Sequence, residues 1–312
     1  MYAISVVLTT YNQPLNKIFQ TLNSIVSQDF DSFEIVVADD ASQENPREAI
    51  ERYFAEAGFS DFQIVVHEKN LGTVRNNAEG AALARGKYVK AIGAGDLLFA
   101  PDTLRKIYEF CLAREVDLAF GRVMAFTDSD DEPCAYSFDA PTKPEMYSGV
   151  QDHEAIVAQQ LIRSDWVPGG GLFYRRDYLL DYLFELADAY QVRYCEDLVS
   201  VLVAFTDDIL YFDEYILWYE WGFGVSNDGS KASKRKAYSD HTNFFNELKR
   251  RYPNSKTIKR ANLVFRVKRF VMIKTPIAEF LRRFKASQYL SKPKEQTQEI
   301  SAALEFLSNS KR

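Results

Sequence analysis

The sequence predicts an α/β fold with a mostly parallel sheet and helices on both faces, and three observations carry that prediction. Short apolar runs without helical period alternate with amphipathic segments, in the order strand, helix, strand, helix, strand, helix, strand, over residues 1–100. Each apolar run ends in a polar loop, and these loops hold Thr9 to Asn12, Asp39-Asp40, His67 to Asn70 and Asp96. Sheets of this kind bind ligands at the carboxyl ends of their strands. The chain has 312 residues, 46% hydrophobic and 26% charged, without internal repeats, so it can bury a sizeable core.

The elements follow in order. Ile4 to Leu8 is an apolar, β-branched run that reads as a buried strand, closed by Thr9-Thr10-Tyr11-Asn12. Leu15, Ile18, Phe19, Leu22, Ile25 and Val26 keep the three-and-four spacing of a helix. Phe33 to Ala38 is the second strand, and a helix over about 46–57 follows, with Pro46 suited to its first turn. Phe62 to Val66 is the third strand, Gly72 to Arg85 an Ala-rich helix, and Tyr88 to Ile92 the fourth strand, running into Gly93-Ala94-Gly95-Asp96. Beyond Pro101 the pattern gives a helix to about Arg114, a strand over 118–126, a long acidic loop over 127–148 and a helix over 152–162. A loop with Pro168-Gly169-Gly170-Gly171 comes next, then a helix from about Asp177 and a helix opened by Glu196-Asp197. Two short strands, 209–212 and 215–219, end this part.

Charge divides the chain. Residues 1–227 carry 17 Lys/Arg against 37 Asp/Glu, a formal −20, whereas residues 228–312 carry 21 against 7, a formal +14. An acidic body joined to a basic extension suggests two units, 1–227 and 228–312, with a seam at Asn227-Asp228-Gly229-Ser230. Within the body, residues 1–100 form the ligand-binding half and 101–227 the second half. Cys111, Cys134 and Cys195 are too scattered for a disulfide framework and point to a reducing compartment. The N-terminal run does not read as a secretory signal, and no stretch reaches the roughly 18 apolar residues needed to span a bilayer. These features lead to the expectation of a cytoplasmic protein.

Several constellations suit chemistry, and each has a plainer reading. Asp39-Asp40 would meet the donors of a base or a ribose, or simply close a turn. Asn70, Gly72 and Arg75 place a glycine at a helix start and a guanidinium one turn on, which suits phosphate or sugar oxygens and equally suits a capped helix with a surface arginine. Gly169, Gly170 and Gly171 let backbone line a cavity. Glu196-Asp197 alone would favour a helix dipole, and His67, His153 and His241 lack metal spacing and read as structural. The absence of GxSxG, GxxxxGK[ST] and GxGxxG argues against hydrolase, P-loop and dinucleotide readings.

Taken together, Ser5 to Asn12, Glu34 to Ser42, Asn70-Leu-Gly72 with Arg75-Asn76, Ala84-Arg-Gly86-Lys-Tyr, Gly95-Asp96 with Pro101, Gly169 to Gly171 and Glu196-Asp197 resemble the family 2 inverting glycosyltransferases over roughly residues 3–225. The resemblance implies a GT-A fold, which is Rossmann-like, and a nucleotide-sugar donor. It implies that Thr9 and Tyr11 line the base pocket, that Asp39 reads a uracil N–H, and that Asn70, Gly72, Asp40 and Arg75 lie near the ribose and diphosphate. It further implies that Asp96, beside Gly95, holds a divalent cation, Mn2+ or Mg2+. Asp197 would deprotonate the acceptor hydroxyl, Glu196 would shape the site, and Gly169 to Gly171 would face the acceptor. Family members commonly carry Asp-x-Asp-Asp where this chain has Gly93-Ala94-Gly95-Asp96, so ion affinity without the donor is expected to be poor.

The basic extension, with Lys234-Arg235-Lys236 and Lys249-Arg250-Arg251, interleaves Leu263, Val267, Phe270, Ile277, Phe280, Leu281, Phe284 and Tyr289 among its charges. It suits an anionic membrane surface, or helices that pack on the acidic body; nucleic acid is the least expected partner, and an oligomer remains open. No QxxRW is present, so non-processive transfer from a UDP-sugar to a glycan or lipid-linked saccharide, in surface polysaccharide or lipooligosaccharide synthesis, is expected. The alternatives are a noncatalytic nucleotide-sugar binding protein and a sugar nucleotidyltransferase.

Overall fold

Ile4–Thr10 (β1) carries no amphipathic alternation because both its faces are covered: Ile4, Ser5, Val6, Val7 and Leu8 are all fully buried. The computed structural model describes residues 2–127, 134–138, 140–222, 230–274, 290–291 and 298–311. β1 pairs in parallel with Phe33–Asp39 (β2) and Tyr88–Gly93 (β4), and β2 with Phe62–Val66 (β3). Leu97–Leu98 (β5), Leu118–Thr127 (β6), Cys134–Phe138 (β7), Leu172–Arg175 (β8), Leu210–Glu220 (β9) and Leu290–Ser291 (β10) complete a ten-stranded sheet. Its order is β10-β7-β6-β8-β4-β1-β2-β3, with β9 between β6 and β5. The parallel block is β3-β2-β1-β4; β8 joins β4 and β6 antiparallel, so the second half of the sheet is mixed.

Helices cover both faces. Leu15–Val26 (α1), Arg47–Ala57 (α2) and Thr103–Arg114 (α4) bury Ile18, Leu22, Ile50, Phe54 and Ile107 on one side. Thr73–Leu83 (α3), His153–Ala158 (α5), Arg176–Asp188 (α6) and Val199–Val203 (α7) bury Val74, Ile156, Leu183 and Val201 on the other. The motif Ala84-Arg-Gly86 proves to be a structural stitch. Buried Glu34 accepts from the Ser5 hydroxyl at 2.7 Å and pairs with Arg85, and the Gly86 amide donates to Ser5 Oγ at 2.8 Å.

Four local expectations are corrected. Part of the expected loop over 127–148 is ordered as β7 and a 3-10 turn, Pro144–Tyr147; residues 128–133 and 139 lie outside the described residues. The helix over 152–162 is α5 followed by a π turn, Gln159–Arg163. Residues 209–219 form one strand rather than two, because Asp213-Glu214 are taken up by a register shift opposite Gly121 and Arg122. Glu196-Asp197 do not start an α-helix; they form a 3-10 turn, Glu196–Leu198, ahead of α7.

The seam at 227–229 lies outside the described residues, as do Ile277, Phe280, Leu281, Phe284 and Tyr289. Beyond it, Lys231–Arg251 (α8) starts on Ser230, whose hydroxyl accepts the Ser233 amide at 3.0 Å, and buries Phe244, Phe245 and Leu248 against Tyr190 and α6. Lys256–Lys274 (α9) buries Ile258 and Ala261. Gln298–Ser310 (α10) packs Ile300, Ala303 and Leu307 on Leu97, Phe99 and Trp218. The described helices of the extension therefore pack on the body, chiefly through apolar contacts.

Candidate active site

The strand ends of β1 and β4, the turn 193–197 and the last residues of β9 enclose a cleft of about 260 Å³. Thr9, Tyr11, Asp40, Asn70, Thr73, Asp96, Glu196, Glu220 and Lys236 are on its wall. Gly169 and Gly170 line an adjoining lobe that shares Thr9, Asp96 and Glu196 with it. The structure thus gathers Thr9, Tyr11, Asp40, Asn70, Asp96, Gly169, Gly170 and Glu196, drawn from separated segments, around one space. Tyr11, 45% exposed, stands at the mouth, where its ring is free to stack on a flat ligand.

Other predicted residues serve elsewhere. Asp39 is fully buried and does not reach the wall; its carboxylate accepts from the Ser42 amide at 2.8 Å and from the Ser42 hydroxyl, closing the turn after β2. Arg75 pairs with Glu79 and Asp188, lies over the Phe184 ring and is not among the residues on the cleft wall. Asp40 accepts the amides of Leu71 and Gly72 and so holds the 70–72 loop; burial pushes its carboxyl up. Gly72 has φ +92, and a Cβ there would stand 2.7 Å from the Arg193 carbonyl oxygen, so only glycine fits. Arg193 returns this contact by donating to Asn70 O at 2.9 Å and Asn70 Oδ1 at 3.0 Å. Gly171 is buried against Gly121 and does not reach the wall.

Asp96 is pushed up to about 7, by burial first and then by the neighbouring Glu220 charge, while the Glu220 amide, donating at 3.0 Å, and Lys90 oppose the shift. Lys90 is fully buried, which lowers it to about 7; its ammonium donates to the carbonyls of Ala91 and Gly170 and thereby pins the glycine loop to β4. Gly95 has φ +106, and a Cβ there would lie 2.7 Å from Glu220 Oε2. The space where the family motif carries another carboxylate is thus taken by Glu220, which is in turn paired with Lys17. Among the described residues no group of three His, Cys, Asp or Glu side chains could hold a metal ion. With one Asp96 oxygen already accepting an amide and Glu220 tied to Lys17, these residues do not fit a resident divalent ion.

The Glu196-Asp197 pair divides its environment. Glu196 faces the cleft and touches the space at Gly169; burial and then the Asp197 charge push it up to about 8. Asp197 lies off the wall. Burial raises it too, but His241 of α8 and the turn's own amides pull the other way. Sequence reasoning missed both His241, which also stands 3.9 Å from Cys195 Sγ, and its neighbour Asp240, which accepts the amides of Tyr194 at 2.6 Å and Cys195 at 3.1 Å.

A GT-A-like sheet with a cleft at its strand ends, lined by Asp40, Asp96, Glu196 and Glu220, is the arrangement of an α/β enzyme that binds a polar ligand at its strand ends. Residues 5–179 match the model for "Glycosyl transferase family 2", more than half of the chain, and the chain belongs to that family. It is a glycosyltransferase. It is 25% identical over 207 residues to an uncharacterized glycosyltransferase of Methanocaldococcus jannaschii, covering 61% of this chain and 70% of that protein. An uncharacterized glycosyltransferase of a Nostoc species is 25% identical over 230 residues, 74% of this chain and 68% of that one. Among solved structures, residues 1–349 of S. aureus TarS superpose with a TM-score of 0.52 at 15% identity, covering 99% of this chain and 83% of that chain. The same TarS fragment has been crystallised with UDP and with UDP-GlcNAc.

Proposed function

We propose that this chain transfers a sugar from a UDP-sugar to a glycan hydroxyl, with inversion and one addition per encounter. The observation that carries the reading is the convergence of Thr9, Tyr11, Asn70, Asp96 and Glu196 on one cleft at the ends of β1 and β4. The TarS complexes with UDP and UDP-GlcNAc, in the same fold, support uridine as the base. In the reaction the acceptor oxygen bonds to the anomeric carbon, the bond from that carbon to the diphosphate breaks, and the electron pair leaves with the diphosphate. The acceptor proton passes to Asp197. Glu196, raised to about 8, is mostly protonated at neutral pH and donates a hydrogen bond into the cleft; Asp197, which His241 favours as the anion, is the base. Positioned base catalysis of this type contributes about 100- to 10,000-fold.

For the acceptor, the reading is a lipid-linked saccharide at an anionic membrane face. Leu263, Val267 and Phe270, exposed by 61%, 55% and 59%, follow i, i+4, i+7 spacing on α9, with exposed Lys259, Arg260, Arg266 and Arg269 around them. Among the described residues no helix is long and apolar enough to cross a membrane. The first test is thermal stability of the protein with UDP, GDP, CMP, TDP or ATP, each with and without manganese. Ligand at 100 times its dissociation constant adds about 2.7 kcal/mol. A shift selective for UDP supports the donor assignment, and no response to any nucleotide refutes it. Donor hydrolysis that disappears in Asp197→Asn separates a transferase from a noncatalytic binding protein.

A further inference from the structure

The cleft has an electrostatic imbalance that its donor would make worse. Asp40, Asp96, Glu196 and Glu220 all face it, and although Glu220 is paired with Lys17 and burial favours the protonated forms of the other three, a nucleoside diphosphate brings its own negative charge to a wall already lined by carboxyl groups. The nearby cations are committed: Arg75 to Glu79 and Asp188, Arg193 to Asn70, Lys17 to Glu220, and Lys90 to the Gly170 carbonyl. Among the described residues on the wall, Lys236 is the one Lys, Arg or His. It comes from α8, beyond the seam, and the helix is held in place there by buried Asp240, one turn further on, through the Tyr194 and Cys195 amides. The Lys236 ammonium stands 4.7 Å from the centroid of the Tyr194 ring, which also lines the cleft, so a flat aromatic surface steers a flexible side chain toward the donor.

We propose that Lys236 binds the diphosphate of the nucleotide donor and offsets its charge as it leaves, in the place where the family motif would otherwise position a cation. This rests on the uridine diphosphate reading above. It gives the basic extension a direct part in the donor site: residues 231–251 supply the one Lys, Arg or His among the described residues on the wall of the cleft. A lysine suits the task because its ammonium is a compact point charge on a flexible stem and reaches phosphate oxygens without a fixed geometry.

The test is calorimetric titration of the full chain with uridine and with UDP, in EDTA, using the wild type, Lys236→Ala, Lys236→Arg and Lys231→Ala, an exposed lysine of the same helix. Loss of one charge-assisted contact should weaken UDP binding by about 10- to 100-fold in Lys236→Ala. Uridine affinity should hold, Lys236→Arg should retain most of the UDP affinity, and Lys231→Ala should match the wild type. Unchanged UDP affinity in Lys236→Ala overturns the proposal, as does an equal loss for uridine and UDP, which would mean that Lys236 acts only by propping Tyr194. A wild type that binds neither ligand fails at the earlier step and removes the uridine donor reading itself.

Discussion

Asp240 offers the most direct measure of how α8 governs the Glu196-Asp197 turn, which the proposed reaction uses. One of its carboxylate oxygens accepts both the Tyr194 amide, at 2.6 Å, and the Cys195 amide, at 3.1 Å, directly ahead of Glu196 and Asp197. Asp240→Ala leaves two backbone donors without a partner, and a buried donor stripped of its acceptor costs about 1–3 kcal/mol. Both bonds are part-buried, so water recovers some of that, and the working figure is about 2–3 kcal/mol for the pair. In a chain of this length each kcal/mol moves the melting temperature by about 2 °C, which gives a fall of about 4–6 °C. Asp240→Asn keeps a carbonyl acceptor and should lose less. Activity should fall further than stability, because a displacement of about 1 Å in a catalytic turn can cost 100-fold in rate. Differential scanning calorimetry, paired with donor hydrolysis at a temperature where both variants are folded, reads the two effects. A melting temperature within about 1 °C of wild type in Asp240→Ala, or full activity in a clearly destabilised variant, would refute the reasoning.

Three further outcomes are expected. Burial raises the Asp197 carboxyl and His241 favours its anion, so His241→Gln should move the acid limb of the rate profile to higher pH; a limb that stays in place or moves to lower pH contradicts the assignment. Asp96 rises from the ordinary 3.8 to about 7, so the folded state binds its proton more tightly than the unfolded chain does. The stability it contributes is complete at acid pH and is lost as pH climbs through that window, so Asp96→Asn should melt above wild type at pH 8, with the gap narrowing toward pH 4; equal melting at pH 8 counts against the buried carboxyl. Cosedimentation with vesicles of phosphatidylglycerol should be lost in Leu263→Asp/Val267→Asp and absent for neutral phosphatidylcholine, whereas binding that ignores both changes removes α9 from the membrane face.

The half of the chain that holds the parallel strands was legible because its signals are local. Buried parallel strands show as continuous apolar runs, and the loops after them carry their own polar residues, so β1 to β4 and Thr9, Asp40, Asn70 and Asp96 could be placed from short windows. The pairing of Arg75 with Asp188 was not legible, because that partner is 113 residues away and nothing near Arg75 announces it. Asp39 carried a readable warning in Ser42, three residues on, a spacing that suits a carboxylate closing its own turn. Lys236, Asp240 and His241 had no such signal. In sequence they belong to a basic amphipathic helix, and only its packing through Phe244, Phe245 and Leu248 turns their side toward the 193–197 turn.

The meeting of Gly72 with Arg193 reaches beyond this single chain. A methyl group at 72 would collide with the backbone of 193, and trimming the Arg193 side chain would not relieve that contact, because the carbonyl oxygen itself stands at 2.7 Å. Two segments far apart in sequence thus share one clearance. Drift along a lineage should find position 72 closed to every other amino acid while the 193 backbone keeps its course, and any descendant that abandons the glycine should show a rebuilt turn on the opposite side of the cleft.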